Sequence, residues 1–260
     1  MGNKLFWKVS GRGQDLVLVH GWGMNGAVWQ QVALHLEKSF RVHIVDLPGY
    51  GYSRNNHVET LEEIALALTL SAPKDAIWVG WSLGGVVATY MALHHTKYVN
   101  KLVTVASSPK FSASKAPDIW HGISASVLAN FNEQLLENFQ LTIERFMQLQ
   151  TMGTPSARQD ALLLKQSVLS QPLPNPKSLL VGLQILENVD LRIELSSISV
   201  PILCLYGRLD GLVPVKVAKY IANYSPNSTQ YIFKHSSHAP FITETNEFCA
   251  RLVQFASASE

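Results

Sequence analysis

Short apolar runs that stop at glycine or a polar turn punctuate the chain: 15–23 "DLVLVHGWG", 41–51 "RVHIVDLPGYG", 76–82 "AIWVGWS", 101–109 "KLVTVASSP", 201–210 "PILCLYGRLD" and 229–238 "TQYIFKHSSH". Their near-continuous apolarity predicts strands buried on both faces, as in a parallel sheet. Between them the apolar spacing lengthens to the helical period. Ala27 to Lys38 sets Val28, Val32 and Leu36 on one face, and Val86 to His95 follows the third run. Thr60-Leu61-Glu62-Glu63 has the form of a capping box and predicts another helix start. Alternating strand and helix predicts an α/β fold with a mostly parallel, doubly wound sheet. Residues 5–9, "LFWKV", ahead of the Gly11–Gly13 turn, predict an antiparallel edge strand.

The alternation stops between about Phe111 and Asp190, where the pattern reads as helical throughout. Leu128, Phe131, Leu135 and Phe139 recur at helical spacing, as do Phe139, Ile143 and Phe146. Thr154-Pro155 and Asn175-Pro176 each pair an N-cap residue with a proline, the expected start of a further helix. The α/β pattern resumes at Val200. The expectation is therefore an α/β core from residues 1–110 and 191–260, with residues 111–190 inserted as a four-helix cap on the carboxyl edge of the sheet.

Composition narrows the function classes. With 260 residues, 47% of them hydrophobic, the chain can bury one sizeable core. A net charge of +2 and no Lys/Arg run give no reason to expect nucleic acid. Cys204 and Cys249 fall in an apolar strand pattern and an apolar helix pattern, which predicts buried free thiols and suits a reducing compartment. Residues 1–12 lack the apolar stretch of a signal peptide, and Phe6 stands where a myristoylation signal needs Ser or Thr. A cytoplasmic monomer is expected. The nine histidines show no HExxH or paired spacing, so no metal is expected, and no cofactor is expected either.

The candidate chemistry centres on Gly80-Trp81-Ser82-Leu83-Gly84, between a predicted strand and a predicted helix. That context makes it a nucleophile elbow, a turn so tight that its flanks must be small. A serine hydroxyl needs a base, and the expected order is Ser, then Asp or Glu, then His, each after a later strand. Asp210 follows the strand run at 201 and His238 follows the last one. Asp210 before Gly211 also suits an ordinary turn aspartate, and His235 competes with His238 as the base. Asp46 precedes the serine in a turn-like stretch, and Asp190 lacks a preceding strand. The loop His20-Gly21-Trp22-Gly23 predicts one oxyanion-hole donor, the Trp22 amide, and Leu83 supplies the other. His20 reads as a structural loop residue. Trp22, Trp81, Phe111, Phe131, Phe139, Phe146 and Leu149 are candidates for an apolar acyl channel or for ordinary cap packing, with Trp22 and Phe146 the stronger channel candidates.

On these stretches the chain resembles the α/β-hydrolase superfamily. "GWSLGG", "TVASSP" and "RFMQLQTMGTPSARQDA" make it similar, within that superfamily, to the carboxylesterases of biotin synthesis that cleave the methyl ester of pimeloyl-acyl-carrier protein. The resemblance implies Ser82, Asp210 and His238 as nucleophile, acid and base. It implies substrate contacts at Trp22, Ser82, Leu83, Phe146, Met147, Gln148, Leu149, Gln150 and His238. It further implies acyl-carrier protein as partner, docked on basic cap residues, which here are Arg145 and Arg158 with Lys165 in support. Leu141 and Leu162 stand where two more basic residues are expected. The same fold and triad also suit a carbon–carbon bond hydrolase of ring-cleavage products, and a binding protein that kept the fold. An acyl channel with a basic rim favours the esterase, and filled triad positions argue against a dead site.

Overall fold

The structure, a computed structural model, describes residues 4–258. Strands β1 (Trp7–Gly11), β2 (Gln14–Val19), β3 (Phe40–Val45), β4 (Ala76–Trp81), β5 (Val99–Val105), β6 (Ile202–Gly207) and β7 (Thr229–Phe233) form one sheet. Their order is β1-β3-β2-β4-β5-β6-β7. Only β1 runs antiparallel, with Trp7 opposite Val45 of β3. Each apolar run supplies one parallel strand, and the edge strand lies two residues later than its run. Every residue of β4 and of β6 is buried, as strands covered on both faces must be.

Helices α1 (Gln30–Leu36), α2 (Leu61–Thr69) and α3 (Leu83–His94) link the first parallel strands. The segment expected as one helix from Ala27 starts instead as a 3₁₀ turn, Gly26–Trp29, whose Ala27 amide donates to the Asn25 side chain at 3.1 Å. The capping box is half as expected. Thr60 Oγ1 accepts from Glu63 N at 3.1 Å, but the Glu63 carboxylate turns back to Glu59 N at 2.7 Å.

Between β5 and β6 lie four helices, α4 (Ala125–Glu137), α5 (Phe139–Leu149), α6 (Ala157–Leu169) and α7 (Pro176–Asn188). Asn175 caps α7 through Lys177 N at 3.0 Å, with Pro176 in the first turn, as its sequence predicts. The Thr154-Pro155 pair does not open α6. The chain spends two turns there, Thr154 N to Thr151 O and Ala157 N to Thr154 O, and the Thr154 hydroxyl is buried without a partner. Nor is residues 111–124 helical. Ala113 N donates to Ile123 O and Ile123 N to Phe111 O, so this segment satisfies its backbone across a narrow loop.

The insertion enters and leaves side by side. Leu191 N donates to Pro109 O at 2.9 Å, and Lys110 Nζ lies 3.1 Å from Asp190 Oδ2. Arg192 bonds Asp190 at 2.7 Å and Asp118 at 2.6 Å, with its guanidinium 5.0 Å over the Trp120 ring. Burial would raise the Asp190 carboxyl, but hydrogen bonds from Arg192 and Lys110 outweigh it and hold it down at about 2.

Helices α8 (Lys216–Tyr224), the single-turn α9 (Pro240–Thr243) and α10 (Thr245–Ser257) complete the chain. Right-handed crossovers place α1 on one face of the sheet and α2, α3 and α8 on the other. The direction of winding reverses between β2 and β4, so a crevice opens at their carboxyl ends. Among the described residues no helix is long and apolar enough to cross a membrane. Cys204 and Cys249 are both free and buried, and burial pushes the Cys249 thiol up to about 11.

Candidate active site

Both loops at the crevice carry candidate residues. Strand β4 ends at Trp81 and α3 starts at Leu83, leaving Ser82 alone between them. Its backbone sits at φ 55° and ψ −119°, a conformation that L residues rarely hold without support. Support comes from β5: Ser82 N donates to Val105 O at 2.9 Å, and Ser107 Oγ donates to Ser82 O at 2.8 Å. Small flanks are needed for a physical reason. A Cβ on Gly80 would land on the Gly84 carbonyl, and one on Gly84 would sit 2.5 Å from the Val19 and His20 carbonyl oxygens.

His238 lies in the loop between β7 and α9, fully buried. Its Nδ1 is 2.8 Å from Asp210 Oδ2. A carboxylate oxygen accepts, so the ring proton belongs on Nδ1 and Nε2 carries the lone pair. That Nε2 is buried and has no hydrogen-bond partner. Asp210 follows β6, and its other oxygen accepts from Leu212 N at 2.8 Å and Val213 N at 2.9 Å. One oxygen of this residue thus closes its own turn and the other meets the His238 ring. The rival base lies elsewhere: His235 is exposed, and its amide donates to Glu244.

The loop after β2 presses against the serine, since a side chain at Gly21 would meet Ser82 Cβ at 3.2 Å. Trp22 follows, and Leu83 opens α3, whose first N–H groups have no acceptor within the helix. The helix dipole favours negative charge at that end. His20 fixes this loop: its Nδ1 lies 2.8 Å from Gly21 O, and its Nε2 accepts from Leu47 N at 3.0 Å. Burial pushes its imidazole down to about 4, so it is neutral near pH 7. Asp46 accepts from the Gly26 and Tyr52 amides, away from the triad, and burial raises its carboxyl.

The remaining sequence candidates fall into two groups. Trp22, Phe146, Met147 and Gln150 are buried. The Trp22 ring meets Phe146 edge-on at 4.9 Å and Phe131 at 6.1 Å, and its Nε1 donates to Leu179 O of α7 at 2.8 Å. Gln150 Nε2 donates to Phe146 O at 3.0 Å, its Oε1 is buried without a partner, and its backbone carbonyl accepts from His238 N at 3.0 Å. The second group opens outward. Gln148, Leu149, Arg145, Arg158 and Lys165, with Leu162 and the buried Met147, line one cavity of about 930 Å³ between α5 and α6. Lys165 is paired there with Glu144 at 3.2 Å, leaving Arg145 and Arg158 as the more available cations. Among the described residues no three His, Cys, Asp or Glu side chains are grouped to hold a metal ion.

Sequence reading missed the Ser107 hydroxyl and the Gln150 carbonyl. Neither carries a local signal, because each acts on a residue far along the chain.

Residues 16–245 match the family described as alpha/beta hydrolase fold. The chain belongs to this family. Within it, the chain is 66% identical to a pimeloyl-[acyl-carrier protein] methyl ester esterase of Vibrio atlanticus (strain LGP32), covering 98% of this chain and 99% of that protein. It is 64% identical to the protein of the same name from Vibrio cholerae serotype O1, covering 97% and 98%. Among solved structures, the hydrolase superposes on an esterase from Exiguobacterium antarcticum with a TM-score of 0.86 at 21% identity, covering 98% of this chain and 96% of that one. A bromoperoxidase from Bacillus anthracis gives 0.88 at 21% identity, covering 98% and 95%. At such identity the structural likeness speaks for the fold alone.

Proposed function

We propose that this alpha/beta hydrolase is a serine carboxylesterase that hydrolyses the methyl ester of pimeloyl-acyl-carrier protein in biotin synthesis. The observation that carries the reading is the buried Asp210–His238 hydrogen bond, which leaves Nε2 unpaired on a residue packed against Trp81 of the elbow. Two relatives above 60% identity over nearly the whole chain bear that esterase name, which supports the substrate.

Ser82 Oγ attacks the ester carbonyl while His238 Nε2 takes its proton. Asp210 holds the imidazole and stabilises the cation formed. The tetrahedral oxyanion faces the Trp22 and Leu83 amides, and losing one such donor typically costs roughly 2.7–4 kcal/mol of transition-state stabilisation. Collapse expels methanol, protonated by His238. Water, deprotonated by the same nitrogen, then attacks the acyl-enzyme and releases the free carboxylate. Residues 111–190 serve as the cap, with Trp22 and Phe146 to Gln150 beside the acyl chain. The acidic carrier protein docks at Arg145 and Arg158, with Lys165 a lesser contact.

Mass spectrometry of pimeloyl-carrier methyl ester incubated with the protein tests this. The wild type should convert it to the free acid, and Ser82→Ala should not. A fluorophosphonate should label Ser82 alone. An unchanged ester with the wild type, or full conversion by Ser82→Ala, rejects the reading.

A further inference from the structure

Trp81 takes no part in the mechanism above. It is fully buried, and its single polar atom is aimed at the loop that carries the base: Trp81 Nε1 donates to His238 O at 2.7 Å. This is not the automatic fate of a buried tryptophan here, because Trp7 Nε1 and Trp29 Nε1 are buried with no partner. The indole is also wedged in place. Its ring packs edge-on against Phe241 at 4.9 Å and lies 5.9 Å from the His238 ring, and Phe241 in turn rests on Trp29 at 4.2 Å.

The placement matters because of what adjoins it. Trp81 shares a peptide with Ser82, whose own backbone is held from the β5 side by Val105 and Ser107. His238 sits in a loop outside regular secondary structure, after Phe233 and before Pro240; Ser236 and Ser237 tie that loop to Leu209 and Glu244, and the imidazole is held by Asp210, but the His238 peptide itself is held from elsewhere. Its peptide is tied at the carbonyl to Trp81 and at the N–H to Gln150, at the end of α5. Of these two peptide ties, only the indole bond runs to the residue that adjoins the nucleophile.

We propose that Trp81 is a positioning residue: its indole N–H holds the His238 peptide at the distance from Ser82 that proton transfer requires. The inference rests on the reading of Ser82 as nucleophile and His238 as base. A misplacement of about 1 Å in such a pair is enough to cost on the order of a hundredfold in rate, so a displacement of about half that on loss of the indole donor costs about tenfold.

Two variants test it. Trp81→Phe keeps an aromatic ring and removes the donor. β-(3-Benzothienyl)alanine introduced at position 81 keeps the whole bicyclic shape and replaces the N–H with sulfur. For both, kcat on a p-nitrophenyl ester and the rate of fluorophosphonate labelling at Ser82 should fall together by about tenfold, with KM within about twofold of wild type. A role in packing alone predicts wild-type kcat and labelling for the benzothienyl isostere, and that result overturns the proposal. If Trp81→Phe fails to fold, the isostere decides. Ser82→Ala is run alongside: its full activity rejects the nucleophile itself, an outcome that the position-81 results cannot mimic.

Discussion

Asp210 serves two structures with one carboxylate. One oxygen closes its own turn on Leu212 and Val213, and the other fixes the imidazole of His238. Asparagine can reproduce the first task, since its carbonyl oxygen still accepts the two amides. It reverses the second, because its NH₂ presents a donor to Nδ1 and drives the ring proton onto Nε2, where the base must be free. Asp210→Asn should therefore fold with a melting temperature within a few degrees of wild type, while kcat drops by about 10⁴-fold. Thermal unfolding beside ester turnover checks both halves. A loss of activity matched by a collapse in stability would mean that the turn, not the tautomer, dominates.

At the scale of elements, the strands were legible because burial on both faces leaves little room for polar residues in β4 and β6. The order of Ser82, Asp210 and His238 was legible for the same reason: each follows a recognisable strand. The start of α6 was not, because Thr-Pro signals a helix start and a turn equally well. The Trp81–His238 bond was not, because it joins residues 157 apart and only the closed sheet brings them together. The groove between α5 and α6 was partly legible. Its arginines stand out as charges and Leu149 as an apolar channel candidate, while Met152 and Ala161, which share its lining, carry no signal in the sequence. Replacing Arg145 and Arg158 together with glutamate should raise KM for a carrier-linked ester by about tenfold or more and leave a small p-nitrophenyl ester unaffected. Added salt should weaken the wild type toward the variant on the carrier-linked substrate only. Equal responses of the two esters would remove the groove from carrier docking.

For the whole molecule, part of the loss of stability in acid should trace to one loop histidine. The folded state holds His20 down at about 4 against an ordinary 6.5, so between those values the unfolded chain binds a proton that the folded chain refuses. This contribution to stability is complete above the ordinary value and is lost as pH falls toward the folded one. From pH 7 to pH 5 it amounts to about 2 kcal/mol. His20→Gln cannot titrate, so urea unfolding at the two pH values should show a drop smaller by that amount; an identical drop would place the acid sensitivity elsewhere. A different consequence follows from the way the four inserted helices are attached. Their two connections meet at Pro109 and Leu191 and are fastened there by Lys110, Asp190 and Arg192, while the strands on either side pair directly, β5 with β6. The sheet thus closes without them. A lineage could exchange this segment for another and alter what the enzyme accepts, provided the replacement again offers an acceptor to His238 N, as Gln150 does, and to the Trp22 indole, as Leu179 does.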